Sequence, residues 1–246
     1  MDYVMSDIHG KYEKFINMLD LIKFNNEDNL YILGDIIDRG ENPLKLIKHI
    51  MSSKNIKMCL GNHESLMIDA YNEGEITEEN INYAVSYLNA IDNYCDINQF
   101  NISKIISLVH WIRNGGEVTA RQFIKLSEEE QEEIICFFED LPLYFEYKDY
   151  ILSHAGMNLR GMTNINWEEI KKKQEINDFI WSRKEFYEHK GPNDKFVIFG
   201  HTPAINGKLD IWFDHYYKDK LCIDCGAAYG GKLCCVELKK LNVYYI

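Results

Sequence analysis

The sequence predicts a layered α/β fold. Strand-like and helix-like segments alternate from residue 3 to residue 60, a long helical stretch follows, and β character returns after residue 142. That order of periods suits sheets covered by helices, with a helical insertion over part of the core.

The first strand is "YVMSD" (3–7), a short apolar run. Next, "KYEKFINMLDLIKF" sets Phe15, Met18, Leu19 and Ile22 at helical spacing, which predicts a helix with one buried face. "NLYILGD" (29–35) is a second strand. "NPLKLIKHIMSS" is a helix with Pro43 near its start, where the missing N–H costs little. "IKMCL" (56–60) is a third strand. From about 65 to 142 the reading is helical. Thr77 is placed to cap a helix carrying Ile81, Ala84, Val85 and Leu88 on one face. Ser127 and Glu130 have capping-box spacing ahead of Ile134, Ile135, Phe138 and Leu141, and Pro142 closes the stretch. "FEYKDYILSHAG" predicts a hairpin ending at His154, and "KFVIFGH" a buried strand ending at His201. The tail, "LDIWF", "KLCIDCG", "GGKLCCVEL" and "NVYYI", predicts successive antiparallel strands with "GAAYGG" as a hairpin turn. All 246 residues are assigned to one domain.

Composition narrows the function. An apolar share of 46% supports a sizeable core, and a net charge of −12 argues against a broad nucleic-acid surface, which needs Lys and Arg against phosphate. An anionic substrate remains compatible with that charge, because bound divalent cations would dominate the local field. No apolar run approaches the roughly 18–20 residues of a membrane span. The start, "MDYVMSDIHG", lacks a secretory pattern, and seven cysteines suit reduced thiols, so a cytoplasmic location is expected.

Five apolar runs end in metal-ligand types: Asp7 and His9, Asp35 and Asp38, Asn62 and His63, His154, and His201. In layered α/β proteins the loops beyond strand carboxyl ends converge, so these groups are expected to meet. Asp7 and His9, at i and i+2 on an extended segment, share a side. A carboxylate such as Asp35 can bridge two ions. Six mixed O/N ligands without a thiolate suit a pair of divalent cations, Mn2+ first, with Fe or Zn as alternatives. Two ions with a shared ligand can hold water and clamp a phosphoryl oxygen. Arg39 can offer phosphate a planar fork, and His63 with Asp38 behind it can donate a proton to a leaving oxygen.

"DIHG", "GDIIDRG", "GNHE", "SHAG" and "GHTP" occur in the order that resembles the phosphoprotein-phosphatase family of binuclear metallophosphoesterases. The resemblance extends from residue 7 to about 231 and is nearest to the small bacterial and bacteriophage lambda-type serine/threonine phosphatases, with "WIRNGG" (111–116) and "WSR" (181–183) as less specific elements. It implies a calcineurin-like fold of two packed mixed sheets flanked by helices. It implies Asp7, His9 and Asp35 on one metal and Asp35, Asn62, His154 and His201 on the other. His63 is then the general acid with Asp38 behind it, and Arg39 and Arg183 bind phosphate. It also sets Tyr229, in "GAAYGG", at the flank of the substrate. Many relatives carry Arg immediately before "GNHE"; Leu60 stands there in this chain, which removes a phosphate contact but no metal ligand.

Blander readings compete at each position. An isolated "GN" is most often a turn, and an isolated His is most often structural; His49, His110, His189 and His215 are read that way. Cys222 and Cys225, read within one strand, face opposite sides, and the adjacent Cys234 and Cys235 diverge, so buried thiols are expected rather than a zinc site. Tyr71, Tyr83, Tyr87, Tyr94 and Trp111 are assigned to packing of the insertion, ahead of a nucleobase pocket. Glu64 receives no chemistry beyond opening a helix. The expected activity is hydrolysis of phosphoserine and phosphothreonine monoesters by hydroxide held on the metal pair. The alternative is symmetrical hydrolysis of dinucleoside tetraphosphates, since the core motifs act only on the phosphoryl group. The expected partner is therefore a phosphorylated protein or a small phosphoester. A catalytically silent metal-binding regulatory module is the third reading, and intact His63, Asp38 and Arg39 argue against it.

Overall fold

The structure, a computed structural model, describes residues 1–246. Five strands make the first sheet: β1 (Asp2–Met5), β2 (Asn29–Ile32), β3 (Ile56–Met58), β9 (Cys234–Glu237) and β10 (Asn242–Tyr245). Their order is β10-β9-β1-β2-β3, with β1, β2 and β3 parallel and the β9 and β10 pairings antiparallel. The second sheet holds β4 (Tyr144–Tyr147), β5 (Tyr150–Ser153), β6 (Phe196–Phe199), β7 (Trp212–Phe213) and β8 (Lys220–Cys222) in the order β4-β5-β6-β8-β7. Here β5, β6 and β8 are parallel and the two outer pairings antiparallel.

Strand alternation builds the layers. Val4, Ile198, Leu221 and Val236 point between the sheets and join one buried cluster. Tyr3 and Met5 point the other way, into a larger cluster shared with α1 (Tyr12–Ile22), α2 (Pro43–Ser52) and the helical insertion. Val197 and Phe199 face a third cluster, against the short helices α8 (Trp167–Lys171), α9 (Ile176–Trp181) and α10 (Lys184–Tyr187). The expected pair of mixed sheets flanked by helices is thus the observed architecture.

The insertion comprises α3 (Asn62–Asn72), α4 (Glu78–Asp92), α5 (Ile106–Arg113), α6 (Glu117–Phe123) and α7 (Glu128–Glu139). Thr77 caps α4 through the Asn80 N–H, and the Ser127–Glu130 box opens α7. Two sequence expectations need correction. The tail forms two antiparallel pairs, β7–β8 and β9–β10, but not one continuous run: β8 also joins β6 in the second sheet, and the chain then crosses to the first, so "GAAYGG" bridges the sheets through a 3₁₀ turn at Ala227–Tyr229. Cys225 accordingly lies beyond β8, although its thiol is buried and free like those of Cys222, Cys234 and Cys235. The insertion's aromatics also divide, for Tyr94 is 98% exposed and Tyr83 lies at the surface, while Trp111 is fully buried.

Candidate active site

All six parallel strands end in a polar side chain near one cavity of about 220 Å³; five supply lining residues, and His154 lies behind two of them, Asn62 and His201. The loop after β1 brings Asp7 and His9, that after β2 brings Asp35, Asp38 and Arg39, and that after β3 brings Asn62 and His63. From the second sheet come His154 after β5, His201 after β6, and Asp224 after β8. Asp224 is the sixth member of the pattern; a count of ligand types at strand ends would have found it, had "KLCIDCG" been read as ending its strand at Cys222. Arg183 enters from the turn after α9, and Trp181 and Tyr229 border the cavity.

The loops are held in uncommon conformations. Asp7, His9, Asp35, Asp38, Arg39 and His201 all have positive φ, between 47° and 70°. Such values are costly for residues with a Cβ and gather at functional sites, where surrounding bonds enforce them. Here the enforcing bonds are visible: His9 N–H donates to Asp35 O (2.9 Å), Gly10 N–H to Ile36 O (2.7 Å) and Gly200 N–H to His154 O (2.7 Å). The β2 and β3 loops also meet closely. A Cβ on Gly34 would lie 2.5 Å from Gly61 Cα, and one on Gly61 would lie 2.3 Å from Asp35 Oδ1. Only glycines allow that approach.

"GNHE" is the first turn of α3 rather than a turn before it, with Gly61 as the N-cap. Glu64 is the residue that sequence reasoning undervalued. Its fully buried carboxylate accepts from the N–H groups of Asp35 (2.9 Å), Ile36 (2.9 Å) and Gly61 (3.1 Å), so it rivets the two loops together. Burial pushes its pKa up to about 7 against those stabilising donors. Glu64→Gln turns one acceptor into a donor facing N–H groups, and is expected to cost about 2–3 kcal/mol, read as a lower urea midpoint with an unchanged m-value.

The imidazoles converge with bare nitrogens. His154 Nδ1 donates to Leu33 O (2.7 Å), and burial holds the ring below its ordinary pKa, hence neutral, so Nε2 carries a lone pair. That nitrogen faces Asn62 Oδ1 at 2.9 Å, His201 Nδ1 at 3.1 Å and Asp35 Oδ1 at 3.5 Å. Oxygen and nitrogen acceptors turned toward one another repel unless a cation lies among them. With Nδ1 as the bare nitrogen of its neutral ring, His201 keeps its proton on Nε2, which is buried without a hydrogen-bond partner. His9 follows the same scheme, with Nδ1 on Ile37 O (3.0 Å) and Nε2 3.6 Å from Asp35 Oδ2. Burial, first of all, depresses the pKa of His9, His63 and His201 well below the usual value, which favours the ligating neutral form. The carboxyls of Asp35 and Asp224 are pushed well up by burial and then by the Asp7 charge. Neutral imidazoles beside crowded carboxylates form a donor set fitted to divalent cations.

Two groups of donors can each hold an ion: His9, Asp35 and His63, and Asp35, His154 and His201. Asp35 belongs to both. Asp7 lines the same cavity and accepts from the His201 N–H at 3.0 Å. His63 stands within reach of the first group, but its Nδ1 is engaged by Asp38 Oδ2 at 2.6 Å. Asp38 is fully buried and also receives the Trp111 indole N–H (2.8 Å) and the Thr119 hydroxyl (2.7 Å). Burial raises its pKa to about 7, with Thr119, Trp111 and Arg39 opposing. Arg39 donates to His9 Nε2 (2.8 Å) and His63 Nε2 (2.9 Å), with its guanidinium 5.0 Å from the Tyr229 ring centroid. Arg183 reaches His201 O and Thr202 Oγ1 at the opposite side. Leu60, where many relatives have Arg, is buried in the cluster beneath the second sheet.

A chain with these features matches the calcineurin-like phosphoesterase family model over residues 3–236 and belongs to that family, whose chemistry is phosphoester hydrolysis. Among individual proteins, it is 34% identical over 158 residues to a symmetrical bis(5'-nucleosyl)-tetraphosphatase of Buchnera aphidicola from Schizaphis graminum, covering 63% of this chain and 44% of that protein. The enzyme of the same name from Coxiella burnetii (strain RSA 493) is 24% identical over 96% of this chain and 88% of its own length. The chain thus spans less than half the length of the Buchnera relatives it matches. A crystal structure of a protein provisionally described as a diadenosine tetraphosphatase superposes with a TM-score of 0.59 at 14% identity, covering 100% of this chain and 92% of that one. A serine/threonine phosphatase from Saccharomyces cerevisiae superposes with a TM-score of 0.57 at 16% identity, covering 100% and 78%. No helix is long and apolar enough to cross a membrane.

Proposed function

We infer that the protein cleaves dinucleoside tetraphosphates symmetrically, using two divalent cations held by Asp7, His9, Asp35, Asn62, His154 and His201. The observation that carries the two-ion part of this reading is the membership of Asp35 in both donor groups, which supports a shared-ligand role for it. When bound, such a pair polarises a phosphoryl oxygen and makes water a strong nucleophile at neutral pH. The mixed oxygen and nitrogen donors suit Mn2+, Fe or Zn, and Mn2+ is the ion we assign. For the substrate, the names of the relatives support the dinucleotide above the phosphoserine or phosphothreonine expected from the motifs, because the superposition on a phosphatase at 16% identity speaks for the fold alone.

His63 supplies the leaving-group proton. Its Nε2–H passes to the oxygen of the departing nucleoside diphosphate, and the ring is left neutral, the form its burial favours. In the structure Arg39 donates to that same Nε2, and a proton there excludes the guanidinium. A phosphate that draws Arg39 away therefore frees Nε2 for its proton while Arg39 forks onto the phosphate. Arg183 binds from the other wall, and the rings of Trp181 and Tyr229 offer faces to the bases.

Turnover of diadenosine tetraphosphate, a phosphoserine peptide and a bis-aryl phosphodiester, compared with Mn2+ added, checks this. The dinucleotide is expected to lead in kcat/KM by about 10²-fold or more, with ADP as the single nucleotide product. Release of AMP and ATP would mean asymmetrical cleavage, and a faster phosphopeptide would restore the protein-phosphatase reading.

A further inference from the structure

The helical insertion is more than a cover for the first sheet, because it reaches the proton-donor pair directly. Trp111 ends its side chain at Asp38 from α5, and Thr119 does so from α6. Asp38, Trp111 and Thr119 are all fully buried, so none of these bonds competes with bulk water. The direction of the threonine bond follows from its second contact. Thr119 Oγ1 accepts the Asp38 backbone N–H at 3.0 Å, so its single proton is the one shared with Asp38 Oδ1 at 2.7 Å. Asp38 therefore receives three donors: Thr119 on Oδ1, and Trp111 and His63 on Oδ2.

The same loop braces the strained backbone beside it. Asp38 and Arg39 sit at φ 70° and 62°. Thr119 ties the first through its N–H, while Gly115 O accepts the Arg39 N–H (3.1 Å) and Asn114 O accepts Arg39 Nε (3.2 Å). "WIRNGG" thus forms the wall against which this loop is shaped.

We propose that Trp111 and Thr119 are positioning residues of the reaction: they hold Asp38 as an acceptor aimed at His63 Nδ1, which fixes the ring with Nε2 turned to the leaving oxygen. A carboxylate surrounded by donors has no room for its own proton. Without Trp111 and Thr119, Asp38 loses two of its three donors, and the carboxylate is free to turn away from His63 Nδ1. The inference rests on the phosphohydrolase reading in one respect, that His63 protonates a leaving group. It does not depend on which phosphoester is the substrate.

Leaving-group dependence separates positioning from packing. A nitrophenolate departs without help, whereas a phenolate needs the acid. The full chain with Mn2+ is assayed as wild type, Thr119→Val, Thr119→Ser and Trp111→Phe on p-nitrophenyl phosphate and phenyl phosphate. For Thr119→Val and Trp111→Phe, kcat on phenyl phosphate is expected to fall about 10- to 100-fold, with less than about a threefold change on p-nitrophenyl phosphate. Metal content should be unchanged, and Thr119→Ser should restore wild-type behaviour. Equal losses on both substrates, or no rescue by serine, would overturn the proposal. If Trp111→Phe fails to fold, the Thr119 pair decides alone. A wild type that hydrolyses aryl phosphates but not diadenosine tetraphosphate defeats only the substrate reading.

Discussion

His63→Asn is expected to lower kcat by about 10²- to 10⁴-fold on any substrate with a poor leaving oxygen, with metal content intact. The side chain is 1% exposed, sits on the first turn of α3 and is fixed through Nδ1 by Asp38 at 2.6 Å. Asparagine fills much of that space, and the backbone N–H that His63 gives to Asp35 Oδ1 (3.1 Å) is untouched by the substitution. What disappears is a ring that can carry a proton from one side while a carboxylate steadies the other. Asp38→Asn should do comparable damage, and the double variant should be little worse than either single one, since the two residues act as a unit. The competing hypothesis is specific to this site. His63 lies within reach of an ion held by His9 and Asp35, so it could be a ligand instead. Elemental analysis decides: loss of one ion per chain in His63→Asn makes it a ligand, and wild-type turnover with full metal removes it from the chemistry.

Much of this arrangement was legible in the sequence because the fold obeys short-range rules. Short apolar runs and faces with period 3.6 located the sheets and helices, and polar residues just past those runs had to converge at the strand ends. Asp7, His9, Asp35, Asn62, His63, His154 and His201 all fall in that class. What could not be read depends on contacts between distant segments. Glu64 looked like a helix-opening carboxylate, yet it holds the backbone of residues 29 positions earlier. Thr119 carried no local signal, since its partner Asp38 lies 81 positions away. Trp111 was read as packing, and it is packed, but its single polar atom is the part that matters. The tail misled for a related reason. Its turn-like "GAAYGG" has hairpin composition, and composition does not reveal that the strands on either side belong to different sheets.

Asp35→Asn should act with opposite signs on the metal-free and metal-loaded protein. In the chain itself Asp35 is a liability: it is 2% exposed, and burial, then Asp7, then Glu64 push its carboxyl well above the ordinary range. Neutralising it relieves desolvation and like-charge repulsion, and an amide oxygen can still accept the His63 N–H. The metal-free variant is therefore expected to melt a few degrees above wild type, for about 1 kcal/mol of stability gained. With saturating Mn2+ the order reverses. Wild type gains about 2.7 kcal/mol for each site filled at a hundredfold excess over Kd, whereas the variant lacks the carboxylate common to both donor groups and gains little. Turnover should fall by about 10³-fold or more, because the several kcal/mol that paired ions contribute to the transition state is withdrawn. Scanning calorimetry with and without Mn2+, together with ions counted per chain, measures both signs. Two ions retained in Asp35→Asn would sink the shared-ligand role. A lower melting point in the absence of metal would show that the charged form of this carboxylate stabilises the bare fold, and that the crowding of Asp7, Asp35 and Glu64 is sustained by their backbone donors without any cation.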